Sequence, residues 1–302
     1  MKNHAFVILS HKQPKLLGRI VNVLKSENHY FFINVDKKHI DFLEFKNEVE
    51  GENVTFFRES IYHCGYSHLE VLYKIFKYAL SYTTRIDYIH VISGQDYPIR
   101  SNKQFDEFFE NTNHSFMYID SGDFKESMAG RYKKYANGWY LNKTEGLLFE
   151  IWNKFHLSFI MGKIIKRKEI PNYVGGWDWF SWERTVLEYV VNFMDQNPEY
   201  VKRYNHTLCP TEHLFPTILQ DRCHELLIES NNPLRYISWQ PHRLISETYR
   251  PFIFNELDYN YIKESKAFFC RKVDEANSAK LLDLLDEHRQ EEYNIHDHTD
   301  FI

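Results

Sequence analysis

Short apolar runs separated by helical stretches fill the first 120 residues, and that alternation limits the fold more than any other feature of the chain. β-Branched or aromatic runs occur at 5–10, 30–35, 53–57, 87–92 and 115–119, with helical periodicity between them at 13–26, 39–48, 67–83 and 103–110. Within 67–83, Leu69, Leu72, Tyr73, Phe76 and Leu80 recur at three- and four-residue steps, which makes one apolar face. Strands alternating with helices of this length predict βαβ units and a mainly parallel sheet. Such a sheet meets its ligand beyond the carboxyl ends of its strands. Three loops are singled out: Ser10-His11-Lys12, Asp36-Lys37-Lys38 and Ser93-Gly94-Gln95-Asp96-Tyr97-Pro98.

The second half is more mixed, with helices predicted at 146–166, 182–196, 212–228 and 276–291, and no low-complexity linker or internal repeat. With 43% hydrophobic and 26% charged residues, wholesale disorder is excluded. Lys and Arg number 37 against 42 Asp and Glu, a net charge of −5, which argues against a general nucleic-acid binder. Aromatics reach 17%, enough for thick cores and for flat faces that suit sugars or bases. The cysteines (Cys64, Cys209, Cys223, Cys270) form no C-x-x-C pair and are expected to be reduced thiols of a cytosolic protein. The run Ala5–Leu9 is too short for a signal sequence or a membrane span and is expected to be the first strand.

Each polar constellation has a plain structural reading beside a functional one. Asp36 could accept hydrogen bonds from a base or ribose, or could simply close a turn. Gln95 and Asp96 offer donors and acceptors to a polyhydroxylated ligand, and equally suit a tight turn. Glu212, in Cys209-Pro210-Thr211-Glu212-His213, falls in the first turn of a predicted helix. There it is either a partner of the helix dipole or a base at a crevice edge. Arg271 and Lys272 lie in the apolar run Phe268–Val273, on opposite faces if it is a strand, so one could meet a ligand phosphate; salt bridging to acids is the plain reading. Gly175-Gly176-Trp177-Asp178-Trp179-Phe180 and Trp239 present indoles that stack on sugar faces or fill a core. No H-E-x-x-H or D-x-D occurs, and His296-Asp297-His298 lies at the extreme terminus, so no metal is expected.

Taken in order, these segments resemble the core-2/I-branching β-1,6-N-acetylglucosaminyltransferase family, which includes the peptide O-xylosyltransferases. The likeness runs from Phe6–Lys12 through Ile33–Lys38, Ile92–Pro98, Trp179-Phe180-Ser181, Pro210–Phe215 and Arg235–Trp239 to Phe269–Lys272. It implies an α/β, GT-A-like fold with a Rossmann-like, mainly parallel central sheet. It also implies one glycosyltransferase domain over 1–302, with a nucleotide-binding half (1–120) and an acceptor-binding and catalytic half (121–302). By this resemblance Glu212 is the catalytic base of an inverting transfer from a UDP-sugar, most simply UDP-N-acetylglucosamine. Arg250 and Lys272 neutralise the leaving diphosphate in place of a divalent metal. His11, Asp36, Gln95 and Asp96 belong to the donor side, and Trp239, Arg131, Asp120, Trp177 and Trp179 to the acceptor side.

UDP-xylose, UDP-glucose and UDP-galactose are the competing donors, and a catalytically silent carbohydrate- or nucleotide-binding protein is the competing class. Thr211, Pro241 and Met128 depart from the family pattern, all on the acceptor side. The implied acceptor is accordingly broad: a glycan, polysaccharide or lipid-linked oligosaccharide, met in the cytoplasm or at the inner face of the membrane. Leu148, Ile151, Trp152, Phe155 and Phe159 followed by Lys163-Ile164-Ile165-Lys166-Arg167-Lys168 allow the 147–168 segment to touch an anionic membrane; a core helix with a basic end is the other reading.

Overall fold

The structure, a computed structural model, describes residues 1–38, 41–62, 64–120, 151, 154–155, 157–164, 170, 172–238 and 251–299. In chain order its strands are β1 (His4–Ser10), β2 (His29–Val35), β3 (Val54–Phe57), β4 (Tyr88–Ser93), β5 (Asp96–Pro98), β6 (Ser115–Phe116), β7 (Phe180–Glu183), β8 (Ile228–Glu229), β9 (Arg235–Ile237) and β10 (Phe269–Arg271). The chain gathers into two units, each woven from separate segments. Unit one holds Met1–Arg58, Ile86–Asn113 and Leu234–Ile302; unit two holds Glu59–Arg85 and His114–Pro233.

In unit one, four strands run parallel in the order β3-β2-β1-β4. Phe6, Val7, Ile8, Phe32, Ile33 and Ile89 are fully buried. Burial on both faces is why these strands read as unbroken apolar runs rather than as alternating ones. Helix α1 (Pro14–Leu24) opens on Pro14, whose fixed φ and missing N–H suit a first turn, and buries Leu16, Leu17, Ile20, Val21 and Leu24. Helix α2 (Phe42–Glu48) buries Phe45. These helices carry the chain outward from β1 to β2 and β3, whereas β4 lies on the other side of β1. The reversal makes a topological switch point between β1 and β4, the position at which an open parallel sheet forms its ligand crevice. A smaller sheet, β5-β10-β9, stands in the same unit, with β10 antiparallel to β5 and parallel to β9.

Unit two is organised by aromatic packing. Helix α3 (Tyr66–Ser81), strand β7 and the helix Thr211–Leu219 contribute Phe76, Phe180, Trp182 and Phe215. Phe180 and Trp182 lie on one face of β7 and stack with ring centres 3.6 Å apart, and Phe215 meets Trp182 edge-on at 5.3 Å. Strand β6 pairs antiparallel with β7 and parallel with β8.

Three expectations need adjusting. The segment 93–98 is not wholly a loop, because Asp96–Pro98 pairs with β10; three residues are too few to show a period. The helix predicted over 212–228 ends at Leu219 and gives way to a 3-10 turn, Gln220–Arg222. The Ile228 N–H donates to the Cys223 carbonyl at 2.7 Å, turning the chain into β8. Of the helix predicted over 146–166, the described part is Leu157–Ile164, with Phe155, Ile160 and Ile164 exposed; the rest of the 147–168 face, including Lys166-Arg167-Lys168, lies outside the described residues. Among the described residues no helix is long and apolar enough to cross a membrane. All four cysteines are thiols rather than halves of a disulfide.

Candidate active site

Two of the residues expected on the donor side, His11 and Asp36, lie at the switch-point end of β1 and β2. His11 is exposed just past β1, and Asp36 follows β2. The Asp36 N–H donates to the Ser10 carbonyl at 3.0 Å. Its carboxylate accepts the Lys38 N–H at 3.0 Å and lies 3.4 Å from Lys38 Nζ. Gly94, past β4, donates its N–H to the Leu9 carbonyl at 3.1 Å, and a Cβ at this position would lie 2.8 Å from Ser10 Oγ. The absent side chain thus lets the exits of β1 and β4 close on each other. His11, Asp36 and the Gly94-Gln95 turn share one edge.

Gln95 and Asp96 have a different task from the expected direct donor contact. Gln95 is buried, its Nε2 donates to the Val273 carbonyl at 3.2 Å, and its own carbonyl accepts the Val273 N–H at 3.0 Å. Asp96 is 0% exposed; its carboxylate accepts from the Ser93 N–H and sits 3.2 Å from Arg271 Nη1. A carboxylate this deep needs its cation, and none of its surface is left for a ligand. Gln95 and Asp96 therefore position β10 and the residue after it, Lys272. Lys272 is partly exposed, its N–H donates to the Phe252 carbonyl at 3.2 Å, and its carbonyl accepts the Phe254 N–H at 2.8 Å. Arg235 of β9 braces the same sheet: its Nη2 donates to the Val91 carbonyl at 3.3 Å and its guanidinium lies 4.5 Å from the Phe269 ring centre. Burial lowers its pKa to about 10, which leaves it charged at neutral pH. Arg250 lies outside the described residues.

In unit two, Glu212 stands in the first turn of Thr211–Leu219, with Pro210 as the preceding cap residue. Every other residue of that helix is buried; Glu212 alone is partly exposed. The buried Thr211 hydroxyl makes no hydrogen bond among the described residues. The Gly176 N–H donates to the Glu212 carbonyl at 2.8 Å, the Asp120 N–H to the Gly175 carbonyl at 2.8 Å, and the Trp177 N–H to the Tyr118 carbonyl at 3.2 Å. A Cβ on residue 176 would fall 2.3 Å from the Tyr118 carbonyl oxygen and 2.6 Å from Pro216 Cγ, so only glycine fits between them. These bonds bring Asp120, Trp177 and Glu212 onto one contiguous backbone patch. The Trp177 ring packs on Tyr118 at 4.6 Å, with Trp179 edge-on at 6.4 Å, and both indoles stay partly exposed. Arg131 and Trp239 lie outside the described residues.

Two residues join this patch unannounced by the sequence. Tyr118 packs against Trp177 with tilted rings, and His68 Nδ1 of α3 lies 3.8 Å from Asp178 Oδ2. Neither belongs to a motif; the aromatic residues around 116–119 are the sole local hint of Tyr118. Chemically, the patch joins through its main chain a partly exposed glutamate at a helix start and partly exposed indoles, residue types suited to a hydroxyl-bearing ring.

The model of the Core-2/I-branching enzyme family matches residues 4–264. The chain belongs to that family. Members of the Core-2/I-branching family are glycosyltransferases, and the match spans both units. Xylosyltransferase 1 of Rattus norvegicus is 26% identical over 304 residues, covering 93% of this chain and 35% of the relative. Xylosyltransferase 2 of Canis lupus familiaris is 24% identical over 308 residues, covering 94% and 33%. The chain thus spans about a third of the length of the curated relatives it matches. Among solved structures, the apo form of mouse xyloside xylosyltransferase 1 is similar at 10% identity and a TM-score of 0.39, over 89% of this chain and 97% of that one.

Proposed function

We propose that this chain is an inverting glycosyltransferase that moves a sugar, N-acetylglucosamine first among the candidates, from a UDP-sugar to a hydroxyl of a glycan acceptor without a catalytic divalent metal. The observation that carries the reading is Glu212, the one partly exposed residue of an otherwise buried helix, whose carbonyl accepts the N–H of Gly176, the residue before the partly exposed Trp177. In this mechanism the Glu212 carboxylate takes the proton of the acceptor hydroxyl as its oxygen attacks the anomeric carbon. The bond to the UDP oxygen breaks with its electron pair, configuration inverts, and Arg250 and Lys272 hold the charge that develops on the diphosphate. His11 and Asp36 hold the nucleoside end.

A second reading changes only the donor. Both curated relatives are named xylosyltransferases, which favours UDP-xylose over UDP-glucose and UDP-galactose. A panel of UDP-sugars, assayed for binding and for slow UDP release in EDTA, decides between them; binding that needs added Mn²⁺ would refute the Arg250 and Lys272 assignment. Glu212→Gln should lower transfer by about 10²–10⁴-fold while UDP binding stays unchanged. Transfer at the wild-type rate in that variant would remove Glu212 from the mechanism. Absence of transfer from any UDP-sugar by the wild-type chain would favour a silent binding protein.

A further inference from the structure

A second cluster of ionisable side chains lies at the opposite ends of the parallel strands of unit one. Strands β1 and β2 begin on His4 and His29, which are register partners. His90 of β4 is the partner of Phe6, two residues along, and so shares the face of His4. Helix α4 (Asn102–Glu110) adds Asp106. The His4 and His29 side chains are fully buried, and Asp106 is 15% exposed. One ligand-type atom from each of His4, His29 and Asp106 lies within 4.8 Å of the others.

Both imidazoles are held from behind. His29 Nδ1 donates to the Leu24 carbonyl at 2.5 Å, which turns Nε2 to Asp106 Oδ1 at 2.8 Å. His4 Nδ1 lies 3.1 Å from His90 Nε2, and His4 Nε2 sits 3.8 Å from the same Asp106 oxygen. Outer partners that fix the tautomer and aim of a ring are what metal-binding histidines ordinarily have. Among the described residues, the wholly buried His4 Nε2 makes no hydrogen bond. With Nδ1–H directed at His90, the Nε2 lone pair faces a carboxylate oxygen, and a cation is the group that would satisfy both.

We propose that His4, His29 and Asp106 bind a divalent transition-metal ion, with Zn²⁺ the best match to two imidazoles and a carboxylate. Ligands at about 2.0–2.1 Å in a tetrahedral shell stand roughly 3.3–3.4 Å apart. The observed 2.8 and 3.8 Å separations bracket that spacing. Asp106, the one ligand with exposed surface, marks the side on which water would complete the shell. At about 3.3 Å per residue, the cluster lies roughly 20 Å along β1 from the strand exits. Its task is to tie β1, β2 and α4 together, independently of the proposed transfer reaction.

The test uses the full chain, dialysed against chelator and then titrated with Zn²⁺ by calorimetry, with the unfolding midpoint followed in parallel. One ion per chain should bind and raise the midpoint by several degrees. Asp106→Asn, nearly isosteric, should weaken that ion at least tenfold, whereas His296→Ala/His298→Ala should leave it in place. Co²⁺ bound to the wild-type chain should give the intense visible absorption of a four-coordinate ion, a readout that needs no variant to fold. Equal Zn²⁺ affinity in Asp106→Asn, a midpoint unmoved by Zn²⁺, or only the weak spectrum of six-coordinate Co²⁺ would overturn the site and leave a His29–Asp106 ion pair beside a histidine pair.

Discussion

The residues of unit one proposed for the donor and those of unit two proposed for the acceptor are held by different kinds of bond. In unit one a fully buried carboxylate, Asp96, pairs with Arg271 and joins β5 to β10 just ahead of Lys272. In unit two the work is done by main chain: Asp120 to Gly175, Gly176 to Glu212 and Trp177 to Tyr118. A main-chain bond is indifferent to most side chains, whereas an ion pair is lost with either partner.

Three single substitutions, one of them also combined with Asp96→Asn, test the contrast. Arg271→Met should cost the most, about 3–5 kcal/mol in urea unfolding, because Asp96 would be left charged and buried. Adding Asp96→Asn should recover part of that loss; a single variant as stable as wild type would show that the pair does not hold the donor side. Gly176→Ala should cost about 1–3 kcal/mol through overpacking against Tyr118 and Pro216, with a parallel fall in transfer rate as Glu212 shifts. Unaltered calorimetric stability and rate would mean that the backbone patch is slack. Trp177→Ala, at a partly exposed position, should change stability by less than about 1 kcal/mol. It should raise the acceptor KM several-fold and leave UDP binding alone; weaker UDP binding would move Trp177 to the donor side.

How legible each region was follows from the same physics. Strands β1, β2 and β4 stand out because two-sided burial leaves them almost uniformly apolar. Glu212 was placed in a first turn by the change from Cys209-Pro210 to a periodic helix. Strand β5 was hidden, since three residues carrying a charged Asp96 resemble any turn until Arg271, distant in sequence, is seen opposite. Gly176 was legible as a loop glycine, but its close approach to Tyr118 and Pro216 is a tertiary fact. The His4, His29 and Asp106 cluster has no motif spacing, because strand register and a later helix bring it together. No local pattern could have revealed it.

The Asp96–Arg271 pair also sets a schedule for biosynthesis. Its partners are separated by 175 residues. At about 5–20 residues per second, a ribosome adds that length in roughly 10–35 s. Throughout that interval the nascent chain carries β1, β2 and β4 with Asp96 beside them and its cation not yet made. The acceptor-side bonds close earlier, because Glu212 leaves the ribosome before Arg271. Vectorial synthesis therefore makes the helix Thr211–Leu219 before the sheet β5-β10-β9 can close, and a chaperone or a premature stop between residues 212 and 271 would meet a molecule with Glu212 made and Asp96 still without Arg271.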